Sequence, residues 1–118
     1  MGTIKSFREL DIWKKGIELV KKVYKITEKF PHHELYGLTS QMRRCAVSVP
    51  SNVAEGFRRR HPKEFKQFLN IALGSLAELE TQLVITKELE YFGNEDEKNL
   101  LELMDHLNRM ITNLLKKL

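Results

Sequence analysis

The run Arg58-Arg59-Arg60-His61, continued by Lys63 and Lys66, places five cations and an imidazole within nine residues. Guanidinium groups bind phosphate oxygens in pairs, and each neutralised phosphate releases counterions, so this spacing suits RNA or DNA. Arg43 and Arg44 add charge on the preceding segment. A solvated loop would carry the same residues, and both readings stay open. Phe57 is the one aromatic beside the cluster. That gives little support for base stacking and none for sequence-specific readout.

A second constellation is the polar series Gln41, Arg44, Ser48, Ser51 or Asn52, and Glu55, which shares one face of a helix. Arg44 and Glu55 would lie about 16 Å apart along the axis, too far to pair in a straight helix. Each is expected to meet a partner on another helix or a neighbouring subunit, which makes Arg44, Ser48, Asn52 and Glu55 candidate structural or inter-subunit residues. A hydrated, exposed face is the other reading.

The chain offers little to a catalyst. A di-iron site in a helical bundle needs Glu-x-x-His pairs on facing helices, and none occurs; Glu102 and His106 are four apart, between the apolar positions Leu103 and Leu107. His32 and His33 sit beside Pro31 in a loop, and His61 lies among arginines that disfavour its charge. Cys45 falls on an apolar helix stripe, where a thiol serves as a small hydrophobe unless a partner activates it. There is no Gly-rich phosphate loop and no nucleophile elbow. The expectation is a protein that is not an enzyme, with no metal and no cofactor.

Four periodic segments must position these residues, and no sustained strand alternation appears, so the fold is expected to be all-α. The first runs over about 11–29, with Asp11 as N-cap and Trp13, Gly16, Ile17, Val20, Val23, Tyr24 and Thr27 on its apolar stripe. Phe30-Pro31 ends it. The second, about 34–55, begins at Glu34, aligns Leu35, Leu38, Met42, Cys45 and Val49, is kinked at Pro50, and takes Gly56 as its C-terminal cap. Pro62 opens the third, about 62–91, which is apolar around so much of its circumference that another subunit is expected to cover part of it. Asn94 is the expected N-cap of the fourth, about 95–117, whose core face carries Leu100, Leu103, Met104, Leu107, Met110, Ile111, Leu114 and Leu118. Short connections then predict an antiparallel up-down-up-down four-helix bundle.

With 118 residues the chain has room for one domain, and its 42% hydrophobic and 31% charged residues suit a packed core. The uncharged stretch Cys45–Ala54 is too short and too polar for a membrane span, and Met1–Ser6 lacks an apolar leader. A single cysteine forms no internal disulfide, so the cytoplasm is the expected compartment. Net charge is +4, split unevenly: 13 Lys/Arg against 6 Asp/Glu in residues 1–60, and 7 against 10 in residues 61–118. Such asymmetry suits an anionic partner, or subunits that set a basic face on an acidic one.

The stretch from Leu38 to Gly56, LTSQMRRCAVSVPSNVAEG, closely resembles the signature of the four-helix bundle proteins encoded in intervening sequences of 23S ribosomal RNA, the S23-type family. Phe7–Trp13 resembles that family's opening, and Phe68–Leu83 its third helix. The resemblance implies a small antiparallel bundle assembled as a ring, a homopentamer, without an established ribosomal role. It also implies a structural or interfacial part for Arg44, Asn52 and Glu55. The chain is similar as well to the accessory protein of diversity-generating retroelements, a basic pentamer that engages nucleic acid and a reverse transcriptase. Binding of structured RNA or DNA through Arg58, Arg59, Arg60, Lys63, Lys66 and Arg43 is therefore the expected function. A protein-interaction scaffold without a nucleic-acid ligand is the alternative.

Overall fold

Connections of ten, three and five residues turn each helix back beside its predecessor, so sequence neighbours pack antiparallel. The computed structural model describes residues 4–118. It contains α1 (Asp11–Thr27), α2 (Leu38–Arg58), α3 (Pro62–Glu88) and α4 (Asn94–Lys117), with single 3-10 turns at Phe7–Glu9 and His32–Glu34. No strand occurs among the described residues. α1 packs on α2 and α4, and α3 on the same two helices; the diagonal pairs do not approach. The result is a four-helix bundle of 46 × 24 × 19 Å.

The helix ends depart from the expected ones for local reasons. Leu10, in extended geometry, is the cap residue of α1, with Asp11 as its first helical residue; Gly93 likewise replaces Asn94 at the start of α4. Glu34 does not open α2. It ends a 3-10 turn, and its carboxylate reaches forward to accept the Leu38 N–H at 3.2 Å. Gly56 is not a cap either. α2 continues two residues beyond it, because Gly56 is the point where α2 meets α3: a Cβ there would lie 2.6 Å from Phe68 Cβ. Arg60 ends the helix instead, with φ of 56°. α3 stops at Glu88, three residues short of the expected end, where Glu90 takes φ of 65° and Tyr91 N–H bonds back to Thr86 C=O.

α2 runs helical through Pro50 without a break. The proline ring sits against buried Gly16 of α1, whose absent side chain admits it: a Cβ would be 3.0 Å from Pro50 Cβ. Nearby, side-chain hydrogen bonds converge on Ser48. Asn52 Nδ2 donates to the Ser48 carbonyl at 2.8 Å and to its hydroxyl at 2.9 Å.

The core combines Leu19, Val23, Met42, Val49, Val53, Leu69, Leu79, Leu83, Leu107 and Ile111, all essentially inaccessible. On α1 the buried arc is rotated from the expected stripe. Contact with α4 as well as α2 buries Ile12, Leu19 and Ile26, and leaves Ile17 and Tyr24 exposed. α3 is long and apolar enough to cross a membrane by length and composition alone. One of its sides packs in the core while Ile71, Val84 and Ile85 face outward, with Leu89 just beyond its end.

Candidate nucleic-acid interface

Antiparallel topology gathers the end of α2, the start of α3, the start of α1 and the end of α4 at one end of the bundle. Divided at the helix midpoints, that end carries 12 Lys/Arg against 5 Asp/Glu, and the opposite end 8 against 11. Charge is thus segregated along the long axis.

The cationic turn is built on packed aromatics. Phe57 meets Phe65 edge to face at 6.0 Å, and Phe7 meets Trp13 at 5.5 Å. Arg58 lies over the Phe7 ring at 5.5 Å and Arg59 over Phe68 at 5.2 Å. The six expected contact residues do not act alike. Arg59 is engaged by Glu55 at 3.2 Å on its own helix and by Glu64 at 3.8 Å. Arg58, Arg60, Lys63 and Lys66 have no carboxylate within 4.0 Å among the described residues. Lys5, Ser6 and Phe7 join Phe57, Arg58 and Arg60 around a cleft of about 240 Å³. Lys5 lies outside the set expected from sequence; more than fifty residues separate it from Arg58, and only the docking of the first 3-10 turn on α2 brings it there.

Arg43 does not belong to this cluster. Fifteen residues before Arg58 on one helix, it stands about 22 Å away. Its Nε donates to Thr27 Oγ1 at 2.8 Å, and its guanidinium covers the Tyr24 ring at 4.5 Å. Together with Leu35, Tyr36, Arg44 and Val47 it lines a groove of about 640 Å³ between α1 and α2, on which Tyr36 is 93% exposed.

The second expected constellation divides in two. Ser48 and Asn52 belong to a seam inside the protomer: Ser48 Oγ and Ser75 Oγ are 2.8 Å apart, and Cys45 Sγ donates to the Ser75 carbonyl at 3.0 Å. Burial, with Glu78 nearby, pushes the Cys45 thiol up to about 11. A thiol so held is poor in thiolate, the reactive form. Arg44 and Glu55 stay on the surface. Glu55 finds its partner in Arg59, one turn along the same helix, so no second subunit is needed to pair it. Arg44 makes one long bond, to Ser40 Oγ at 3.5 Å. At the opposite end, Glu34 ties three elements together, because its carboxylate also accepts the Tyr91 hydroxyl at 2.8 Å. That bond, and the one from Leu38 N–H, hold its pKa below the usual carboxylate value. No cluster of three metal-ligating side chains occurs among the described residues.

Four antiparallel helices with a segregated basic end define a small, charge-polarised helical bundle. The sequence matches the 23S rRNA-intervening sequence protein family over residues 8–113, and the chain belongs to that family. Its fold is similar to a crystal structure of a protein of unknown function from the S23 ribosomal protein family of Bacteroides thetaiotaomicron. The two align with a TM-score of 0.82 at 20% identity, covering 89% of this chain and 98% of the other. No curated protein matches the sequence.

Proposed function

We propose that the protein is a non-enzymatic, oligomeric bundle that binds structured RNA or DNA through its basic end. The observation that carries this reading is the charge segregation, with Lys5, Arg58, Arg60, Lys63 and Lys66 on one end and Arg58 and Arg60 sharing a cleft with Lys5.

Assembly is supported by the distribution of exposed apolar side chains. Apart from Ile4 and Ile71 they fall in two groups: Ile17, Tyr24, Leu35, Tyr36 and Val47 on the side of Arg43 and Arg44, and Val84, Ile85 and Leu89 on the side of Glu80 and Glu88. The first is basic and the second acidic, so the second patch of one copy complements the first patch of the next. Contact between unlike patches propagates head to tail, and it gives a closed ring where the rotation from copy to copy closes. A pentamer, the state implied by the family resemblance, would carry a net charge of about +20.

The test is binding of a fluorescent ribosomal RNA hairpin, an unrelated RNA and a DNA duplex across a salt series, with protein of measured mass. Wild-type affinity should fall steeply with salt. Arg58→Ser with Arg60→Ser should weaken binding at least tenfold near 100 mM salt, with a salt slope shallower by about 0.9 for each phosphate that is no longer neutralised. Arg59→Ser should matter less, because Glu55 and Glu64 already neutralise that guanidinium. Failure of the wild type to bind any probe at about 50 mM salt would refute the nucleic-acid reading. The Tyr24, Tyr36 and Arg44 groove would then favour a protein scaffold, since such residues dominate protein interfaces.

A further inference from the structure

α1 and the two residues that follow it carry six lysines on the solvent side, and these differ in their commitments. Lys15 pairs with Glu18 at 3.4 Å, and Lys29 with Asp96 of α4 at 2.6 Å. Lys14, Lys21, Lys22 and Lys25 are exposed and have no carboxylate within 4.0 Å among the described residues. These four free ammonium groups span about 16 Å of one helix. Lys22 and Lys25, with Asn99 of α4, line a shallow cleft of about 160 Å³ between the two helices.

The row begins at the basic end. Trp13, next to Lys14, meets Phe7 at a tilt, and Phe7 lies under Arg58. A cationic track therefore continues from the Lys5, Arg58 and Arg60 cleft along α1 to Lys25. We propose that this track binds a polynucleotide backbone lying along the length of the bundle, and that the basic end is where the track starts. The inference rests on the nucleic-acid reading and adds to it a ligand of defined extent. Lysine ammonium groups are point charges that neutralise phosphates without reading bases. A duplex strand presents a phosphate about every 3.4 Å of axis, so a track of roughly 25–30 Å spans some seven to nine base pairs. A lipid surface fits less well. Most of the apolar side of α1 is buried in the core; Ile17 and Tyr24 are exposed only at the edge of the lysine face, a narrower apolar strip than the wide one an interfacial helix presents to a bilayer.

Two hairpins of matched loop separate the possibilities, one with a stem of about 5 base pairs (roughly 17 Å) and one of about 12 (roughly 41 Å). The variant carries Lys21→Ser, Lys22→Ser and Lys25→Ser, all exposed positions, and its mass and circular dichroism are compared with wild type. Wild type should prefer the long stem. The variant should keep its short-stem affinity within about twofold, lose about tenfold or more on the long stem, and show a salt slope there lower by about two to three. An unchanged long-stem affinity, or equal loss on both stems, overturns the track and leaves the basic end intact as a site. Wild type that binds neither stem overturns the nucleic-acid reading and the track with it. Lysine-dependent binding to anionic phospholipid vesicles, with no stem preference, overturns the track and reassigns the face to a membrane surface.

Discussion

Gly56 separates two effects of opposite sign, which makes its replacement by alanine an informative perturbation. An alanine is favoured over glycine in a helix by about 0.5–1 kcal/mol. At this position the new Cβ would stand 2.6 Å from Phe68 Cβ and 3.0 Å from Phe65 Cδ1, whereas ordinary contact begins near 3.4 Å. Phe68 Cβ is fixed to the backbone and cannot swing away, so α2 and α3 must part locally by nearly 1 Å. Overpacking of this kind costs about 1–3 kcal/mol. Sterics win, and Gly56→Ala should lose about 1–2 kcal/mol, or about 4–8 °C in Tm for a chain of this size. Gly74 supplies the control. It lies in α3 with nothing within 4 Å of its would-be Cβ, so Gly74→Ala should gain about 0.5–1 kcal/mol. Gly16→Ala, at 3.0 Å from Pro50 Cβ, should fall between them. Urea unfolding followed by far-ultraviolet circular dichroism, at fixed protomer concentration, gives the order directly. A Gly56→Ala protein as stable as wild type would refute the claim that this glycine sets the α2–α3 approach.

Two further outcomes follow from titratable groups. Glu34 has its folded-state pKa held below the ordinary 4.5 by the Tyr91 hydroxyl and the Leu38 N–H, so its contribution is complete above that pH and is lost as pH falls through the folded value. The stability gap between wild type and Glu34→Gln, read from urea midpoints, should be widest near neutrality and narrow as pH falls below the ordinary carboxylate value; a gap that widens in acid would contradict the assignment. Cys45, buried and titrating near 11, should react with a thiol reagent at pH 8 roughly a hundredfold more slowly than a free cysteine, and at the normal rate in denaturant. Rapid native labelling would mean that the Cys45 and Ser75 seam opens readily.

Helix number, order and most core positions were legible because apolar spacing reports which side of a helix is buried, and α4 matches almost residue for residue. Periodicity does not report how many neighbours a helix has. The stripe expected on α1 is therefore rotated in the fold: the helix packs on both α2 and α4, and Ile12, Leu19 and Ile26 are buried while Ile17 and Tyr24 are exposed. Glycine was ambiguous for a related reason: Gly56 looks the same in sequence whether it ends a helix or admits Phe68. The candidate site was legible as charge but not as commitment. Arg43, Arg59 and Arg60 read alike until Thr27 and Tyr24 claim the first and Glu55 and Glu64 the second. Lys5 carried no signal at all, because its place beside Arg58 depends on a tertiary contact.

The uneven distribution of charge between the two ends also makes the molecule an electric dipole along its longest dimension. A polyanion exerts a torque on such a body before contact, turning the basic end forward and raising the fraction of productive encounters at low salt. In a ring of the kind proposed, protomers held parallel about a common axis would add their dipoles and give a disc with two unlike faces. On the proposed reading the basic face would draw a polyanion first, while the more acidic face would stay free for a different neighbour.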